Sequence, residues 1–123
     1  MSKHQCVLDD LREPTRDLRR ANPEVWKGFA SLHDAALCDG ALSRRIKELI
    51  ALALAVEAQC DGCIAAHARA AAVAGATREE VAETLGVNLL MRGGPATVYG
   101  PRAWQAFNEF AAAQADARVE VAS

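Results

Sequence analysis

From Arg44 to Ala58 the chain reads RRIKELIALALAVEA, a stretch with neither proline nor glycine. Ile46, Leu49, Ile50, Ala53 and Leu54 recur at helical spacing, and Arg44, Arg45 and Lys47 fall on the opposite, solvent side. Ser43 stands where an N-cap is needed. The first interruption is Asp61-Gly62, which predicts a break near residues 58 to 61. A further alanine-rich helix then runs from about Cys60 to Ala74, with Gly75 as its stop. Two helices joined by so short a break must either continue in line or double back as an antiparallel hairpin.

The remaining punctuation is also helical. Pro23, after Asn22, opens a helix with Val25, Phe29, Leu32 and Ala36 on one face, and Asp39-Gly40 ends it. Thr77-Arg78-Glu79-Glu80 has the form of a capping box, followed by Val81, Leu85 and Leu89. Arg92 to Pro95, RGGP, breaks the chain before a last helix, in which Gly100-Pro101 marks a start or a kink. No strand-like alternation, internal repeat or low-complexity linker interrupts this pattern, so the expected class is all-α. We expect a lead segment over residues 1–14, poorly ordered or serving to dock, a single helical domain over 15–117 and a tail over 118–123.

Composition bears on partners and location. The hydrophobic fraction is 51%, much of it alanine, and aromatics are 5%. Small side chains bury little area each, so further burial by self-association is expected. A net charge of -2 leaves no footprint for nucleic acid or an anionic membrane surface. LIALALAVEA is far too short to cross a bilayer, and no segment resembles a signal peptide, so the expected location is cytoplasmic. There, four cysteines point to free, metal-bound or redox-active thiols rather than a disulfide framework.

Cys60, Cys63 and His67 stand at i, i+3 and i+7, which places two thiols and an imidazole on one helix face. Cysteine has an ordinary pKa of about 8.5, and a drop of about two units makes most of it thiolate, an effect known for C-x-x-C at helix N-termini. A zinc site would need a fourth ligand from Cys38, His33 or Glu48, none of which belongs to a second tight pair. Covalent haem attachment fails, because Ile64 occupies the histidine position of C-x-x-C-H. A redox dithiol, a zinc site and two small buried residues beside a core histidine all remain open on spacing alone.

The break decides whether a carboxylate can join them. In a continuous helix the nineteen residues from Glu48 to His67 would span about 28 Å, but a reversal near 57 to 58 lets the two side chains meet. A carboxylate on one imidazole nitrogen leaves the other as a base toward a thiol. By pattern alone, however, Glu48 reads as a solvated-face residue, and Glu57 as a weaker candidate at the turn.

KELIALALAVEAQCDGCIAAH closely resembles the signature of the carboxymuconolactone decarboxylase and alkyl hydroperoxidase D-like superfamily: a glutamate, C-x-x-C twelve residues on, and a histidine four residues after the second cysteine. The likeness runs from about Phe29 to Phe110 and includes GATREEVAE and Gly93-Gly94. It implies an all-α fold built around an antiparallel helix hairpin, assembled as a homotrimer or homohexamer. It also implies a thiol-dependent peroxidase or disulfide oxidoreductase with an antioxidant role, needing neither cofactor nor metal. Cys63 would be the peroxidatic nucleophile, Cys60 the resolving thiol, His67 the base and Glu48 its relay partner. The implied reductants and partners are a lipoyl-bearing adaptor, a thioredoxin-like protein or a peroxiredoxin. The sequence departs from the signature at Gly62, where many relatives carry histidine or tyrosine, and this removes one proton donor.

Two rival functions follow from the same residues: a lactone decarboxylase-type enzyme with no redox step, and an oligomeric scaffold with a vestigial dithiol. Cys6 and Cys38 have no partner at useful spacing and read as structural or incidental, and His4 lies in the lead segment. His33 reads as a core histidine, with a place in a pocket wall as the alternative. Trp26, Phe29, Trp104, Phe107 and Phe110 read as core or subunit interface, with the apolar wall of a substrate pocket as the alternative.

Overall fold

The computed structural model describes residues 2–122, which form six helices and, among the described residues, no strand. They are α1 (Lys3–Ala21), α2 (Pro23–Leu37), α3 (Arg44–Glu57), α4 (Asp61–Val73), α5 (Arg78–Arg92) and α6 (Ala96–Ala122). No helix is long and apolar enough to cross a membrane among the described residues.

The chain doubles back into the α3–α4 hairpin that the family resemblance implies, but the residue that turns it carries no glycine signal. Ala58 caps α3, and the amide of Gln59 bonds to the Val56 carbonyl at 3.1 Å while that of Cys60 bonds to Ala55 at 3.2 Å. This is a Schellman closure, with Gln59 at φ 54° in the left-handed region that glycine usually fills. The same closure ends α4: Gly75 sits at φ 88°, and Gly75 and Ala76 bond back to Ala72 and Ala71. The capping box on α5 is complete, with the Glu80 amide on Thr77 Oγ1 and the Thr77 amide on Glu80 Oε1. Ser43 Oγ accepts from the Ile46 amide at the start of α3.

The core lies among α3, α4, α5 and α6. Leu52 and Val56, Ile64 and Ala68, Val81 and Leu85, and Phe107 and Phe110 contribute from the four helices in turn. Ala65, Ala68, Ala71 and Ala72 are buried on α4, and such small side chains let α3 and α6 approach it closely. Each buried alanine contributes little, so Phe107, buried at the centre, carries a larger share, of about 1.5–3 kcal/mol. The apolar face assigned to α2 stays outside this core: Val25, Phe29 and Leu32 are exposed, as are Leu89 and Met91 of α5.

Both chain ends are helical. Residues 3–13, read as a lead segment either poorly ordered or serving to dock, belong to a continuous α1 that docks on α4 and α6. The helix continues through Pro14, an exposed position at which the proline nitrogen has no proton to give to the carbonyl one turn back. α1 is held by His4, which is buried and bonds to Glu109 of α6 twice: Nδ1 at 2.9 Å and the backbone amide at 3.1 Å, both to Oε2. Burial raises the Glu109 pKa, but these bonds and the charge of His4 outweigh it and hold the carboxyl below its ordinary value. At the other end, residues 118–122 continue α6 rather than forming a separate tail. Met1 and Ser123 lie outside the described residues.

Candidate active site

The hairpin brings Glu48 of α3 against His67 of α4. Glu48 is fully buried, which corrects its reading as a solvated-face residue. A buried carboxylate must be paired to remain ionised, and both oxygens are engaged. His67 Nδ1 lies 2.8 Å from Oε1, and Arg44 Nε and Nη2 each lie 3.2 Å from Oε2. An ionised carboxylate only accepts, so Nδ1 carries the proton and Nε2 is left as the basic nitrogen. Arg44, one turn before Glu48, is the residue of this set that spacing did not single out.

Cys60 and Cys63 stand at disulfide-bonding distance, with their α-carbons 5.2 Å apart. Cys60 is the N-cap of α4 in extended conformation, and its Sγ accepts the Cys63 amide at 3.2 Å. Ending α3 at the left-handed Gln59 sets this geometry, because it leaves Cys60 outside the helix and Cys63 in the first turn. Cys63 is exposed. Amides at a helix start favour negative charge, so the pair stands where a thiolate gains most from the backbone.

One cleft of about 550 Å³ collects both cysteines, His67, Glu48 and Arg44, and Phe29 and His33 of α2 also line it. His33 is not a core residue. Its ring stacks on that of His67, with centroids 6.5 Å apart and planes 22° apart, and its Nδ1 lies 3.5 Å from Asp34. Nothing in sequence spacing pairs residues 33 and 67. Phe29 joins it as an exposed wall, whereas Phe107 and Phe110 are core as expected.

Gly62 has a steric explanation. A Cβ there would lie 3.1 Å from Leu11 Cδ1, because α1 crosses the start of α4 at this point. A larger side chain in its place would have to push the Leu11 side chain aside. Cys6 and Cys38 are exposed free thiols, and Cys38 Sγ lies 3.3 Å from the Ala35 carbonyl. No group of three or more histidine, cysteine, aspartate or glutamate side chains stands close enough to hold a metal ion among the described residues.

An all-α chain with a C-x-x-C at the head of one hairpin helix and a buried glutamate–histidine pair beside it defines a narrow class. The sequence profile of the carboxymuconolactone decarboxylase family matches residues 23–115, and the chain belongs to that family. It is similar to a carboxymuconolactone decarboxylase family protein from Legionella pneumophila, whose crystal structure in the apo form superposes with a TM-score of 0.87 at 44% identity. That match covers 90% of this chain and 99% of the other. An uncharacterized protein of Cupriavidus necator is 41% identical over 101 residues, covering 82% of this chain and 89% of the relative. A Paracoccus denitrificans protein encoded in its cox locus is 37% identical over 90 residues, covering 73% and 81%.

Proposed function

We propose that this protein is a thiol-dependent oxidoreductase that reduces hydroperoxides, or disulfides, through the Cys60–Cys63 pair. The observation that carries the reading is the shared cleft, in which the dithiol faces an imidazole whose far nitrogen is tied to a buried carboxylate.

In the peroxidase cycle, His67 Nε2 takes the Cys63 proton, and the buried charge of Glu48 stabilises the imidazolium. The thiolate attacks the terminal peroxide oxygen: an S–O bond forms, the O–O bond breaks and two electrons pass to the peroxide. The alkoxide takes the proton back from His67 and leaves as alcohol. The Cys60 sulfur then attacks the Cys63 sulfenic acid, forming the disulfide and releasing water. The Cys63 amide directed at Cys60 Sγ supports thiolate character on the resolving sulfur. An external dithiol supplies two electrons and two protons to reopen the disulfide and is itself oxidised. A lipoyl-bearing adaptor, a thioredoxin-like protein or a peroxiredoxin partner fits that step. A homotrimer or homohexamer would cover apolar surface left exposed at Leu54, Leu90 and Met91.

The test is hydroperoxide consumption by the full chain with lipoyl, thioredoxin or glutathione as reductant, alongside Cys63→Ser and Cys60→Ser. Turnover with at least one reductant, lost in both variants, is the expected result. Turnover that survives loss of either cysteine would overturn it.

A further inference from the structure

Beyond the dithiol the cleft opens into a second recess of about 360 Å³ between α1 and α4, and the two share Leu11, Gly62, Ala66 and Arg69 as walls. This recess adds Arg12, Arg16 and Arg19, which lie at i, i+4 and i+7 on one face of α1. Asp9, Asp10, Glu13 and Asp17 of the same helix line neither recess. Arg12 is paired with Asp9 at 2.8 Å, whereas Arg16, Arg19 and Arg69 have no acidic partner among the described residues. Four exposed arginines line a recess with no carboxylate in its wall, and the three without an acidic partner are a local excess of positive charge in a chain whose net charge is -2.

The arrangement also has a direction. Arg69 stands six residues after Cys63 on α4, about 9 Å along the helix axis. Between the arginines and the cysteines the wall is Leu11, Gly62 and Ala66, which are apolar. Gly62 keeps the connection open, since a side chain there would meet Leu11. Guanidinium groups bind carboxylates through paired N–H donors and keep their charge at every working pH.

We propose that this recess binds the carboxylate of a small organic substrate, whose alkyl segment lies along Leu11 and Ala66 and whose reactive end reaches Cys63. The proposal rests on the thiol oxidoreductase reading and narrows its substrate class to acids, either a carboxylated hydroperoxide or a carboxylated disulfide.

The first arm measures binding without turnover. Octanoate and methyl octanoate are titrated calorimetrically into the full-length Cys63→Ser protein, with and without Arg16→Gln/Arg69→Gln. Octanoate is expected to bind at least tenfold more tightly than its ester, to weaken at raised salt and to lose at least tenfold in the arginine variant. Equal binding of acid and ester, or an unchanged octanoate affinity in the variant, would overturn the proposal. The second arm compares turnover of a fatty-acid hydroperoxide with that of cumene hydroperoxide, and of an acidic disulfide with that of a neutral one. The arginine variant is expected to lower the acid-to-neutral ratio of kcat/KM about tenfold for one of the two pairs, which identifies the source of the carboxylate. Ratios unmoved in both pairs would overturn the proposal. If octanoate binds selectively while wild-type protein turns over no hydroperoxide or disulfide, the recess stands as an anion site and the oxidoreductase reading falls.

Discussion

Replacing Glu48 by glutamine keeps the shape of the buried side chain and removes its charge, which separates its chemical role from its packing. The carboxylate holds His67 Nδ1 at 2.8 Å and stabilises the imidazolium formed when Nε2 takes a proton. Two unit charges 4 Å apart interact by about 4 kcal/mol at an effective dielectric of 20. His67 is 24% exposed, so solvent reduces the usable part to about 2–3 kcal/mol. At about 1.4 kcal/mol per decade this is near a hundredfold in rate, at the lower end of the usual range for a positioned acid or base. Stability responds differently. Arg44 is 44% exposed and can return its charge to water, and the desolvation cost of a buried carboxylate disappears with the carboxylate. Glu48→Gln is therefore expected to slow oxidation of the reduced protein by hydroperoxide about a hundredfold in stopped flow, while stability changes by no more than about 1 kcal/mol in a denaturant titration. A rate within threefold of wild type would refute the relay. A rate loss matched by a collapse in stability would show that Glu48 acts by holding the hairpin together.

Other perturbations address the elements that surround the site. The Glu109 carboxyl is held below its ordinary value of 4.5, so its stabilising effect is present above that value and lost as pH falls through the folded-state pKa. Glu109→Gln should destabilise the protein at neutral pH by about 1.5–3 kcal/mol, and the gap to wild type should close in acid; a gap of constant size from neutral to acid pH would contradict this. Gly62→Ala sets a helix-propensity gain of up to about 1 kcal/mol against the 3.1 Å approach to Leu11, so it should become stabilising once Leu11 is also alanine. Strict additivity in that double-mutant cycle would mean that α1 does not press on Gly62. Phe107→Ala should cost about 3–5 kcal/mol by calorimetry, since alanine-rich neighbours have little side chain with which to refill the space.

The parts of the fold written in local chemistry were legible: Ser43, Thr77 and Gly75 bound their helices because caps depend on residues within one turn. The hairpin was legible as a break without its mechanism, since Gln59 adopts a conformation for which the sequence carries no glycine. The burial of Glu48 was not, because helical periodicity leaves its face ambiguous and its partner His67 lies nineteen residues away. Docking of α1 was one of two readings left open, and what it docks on was hidden for the same reason on a larger scale. Its first residues are polar, and what docks them is a bond between His4 and Glu109, 105 residues apart. His33 shared this fate: an imidazole on a half-apolar helix looks like core until the stacked ring of His67 is seen.

The most direct test of the redox account is a thiol count on the fully reduced protein before and after one equivalent of hydrogen peroxide. The chain has four cysteines, and Cys6 and Cys38 are exposed free thiols that serve as internal controls. The account predicts that two thiols disappear without intermolecular crosslinks, that peptide mapping assigns the new disulfide to Cys60–Cys63, and that Cys6 and Cys38 stay alkylatable. Four thiols surviving the peroxide, or a loss confined to Cys6 and Cys38, would contradict it.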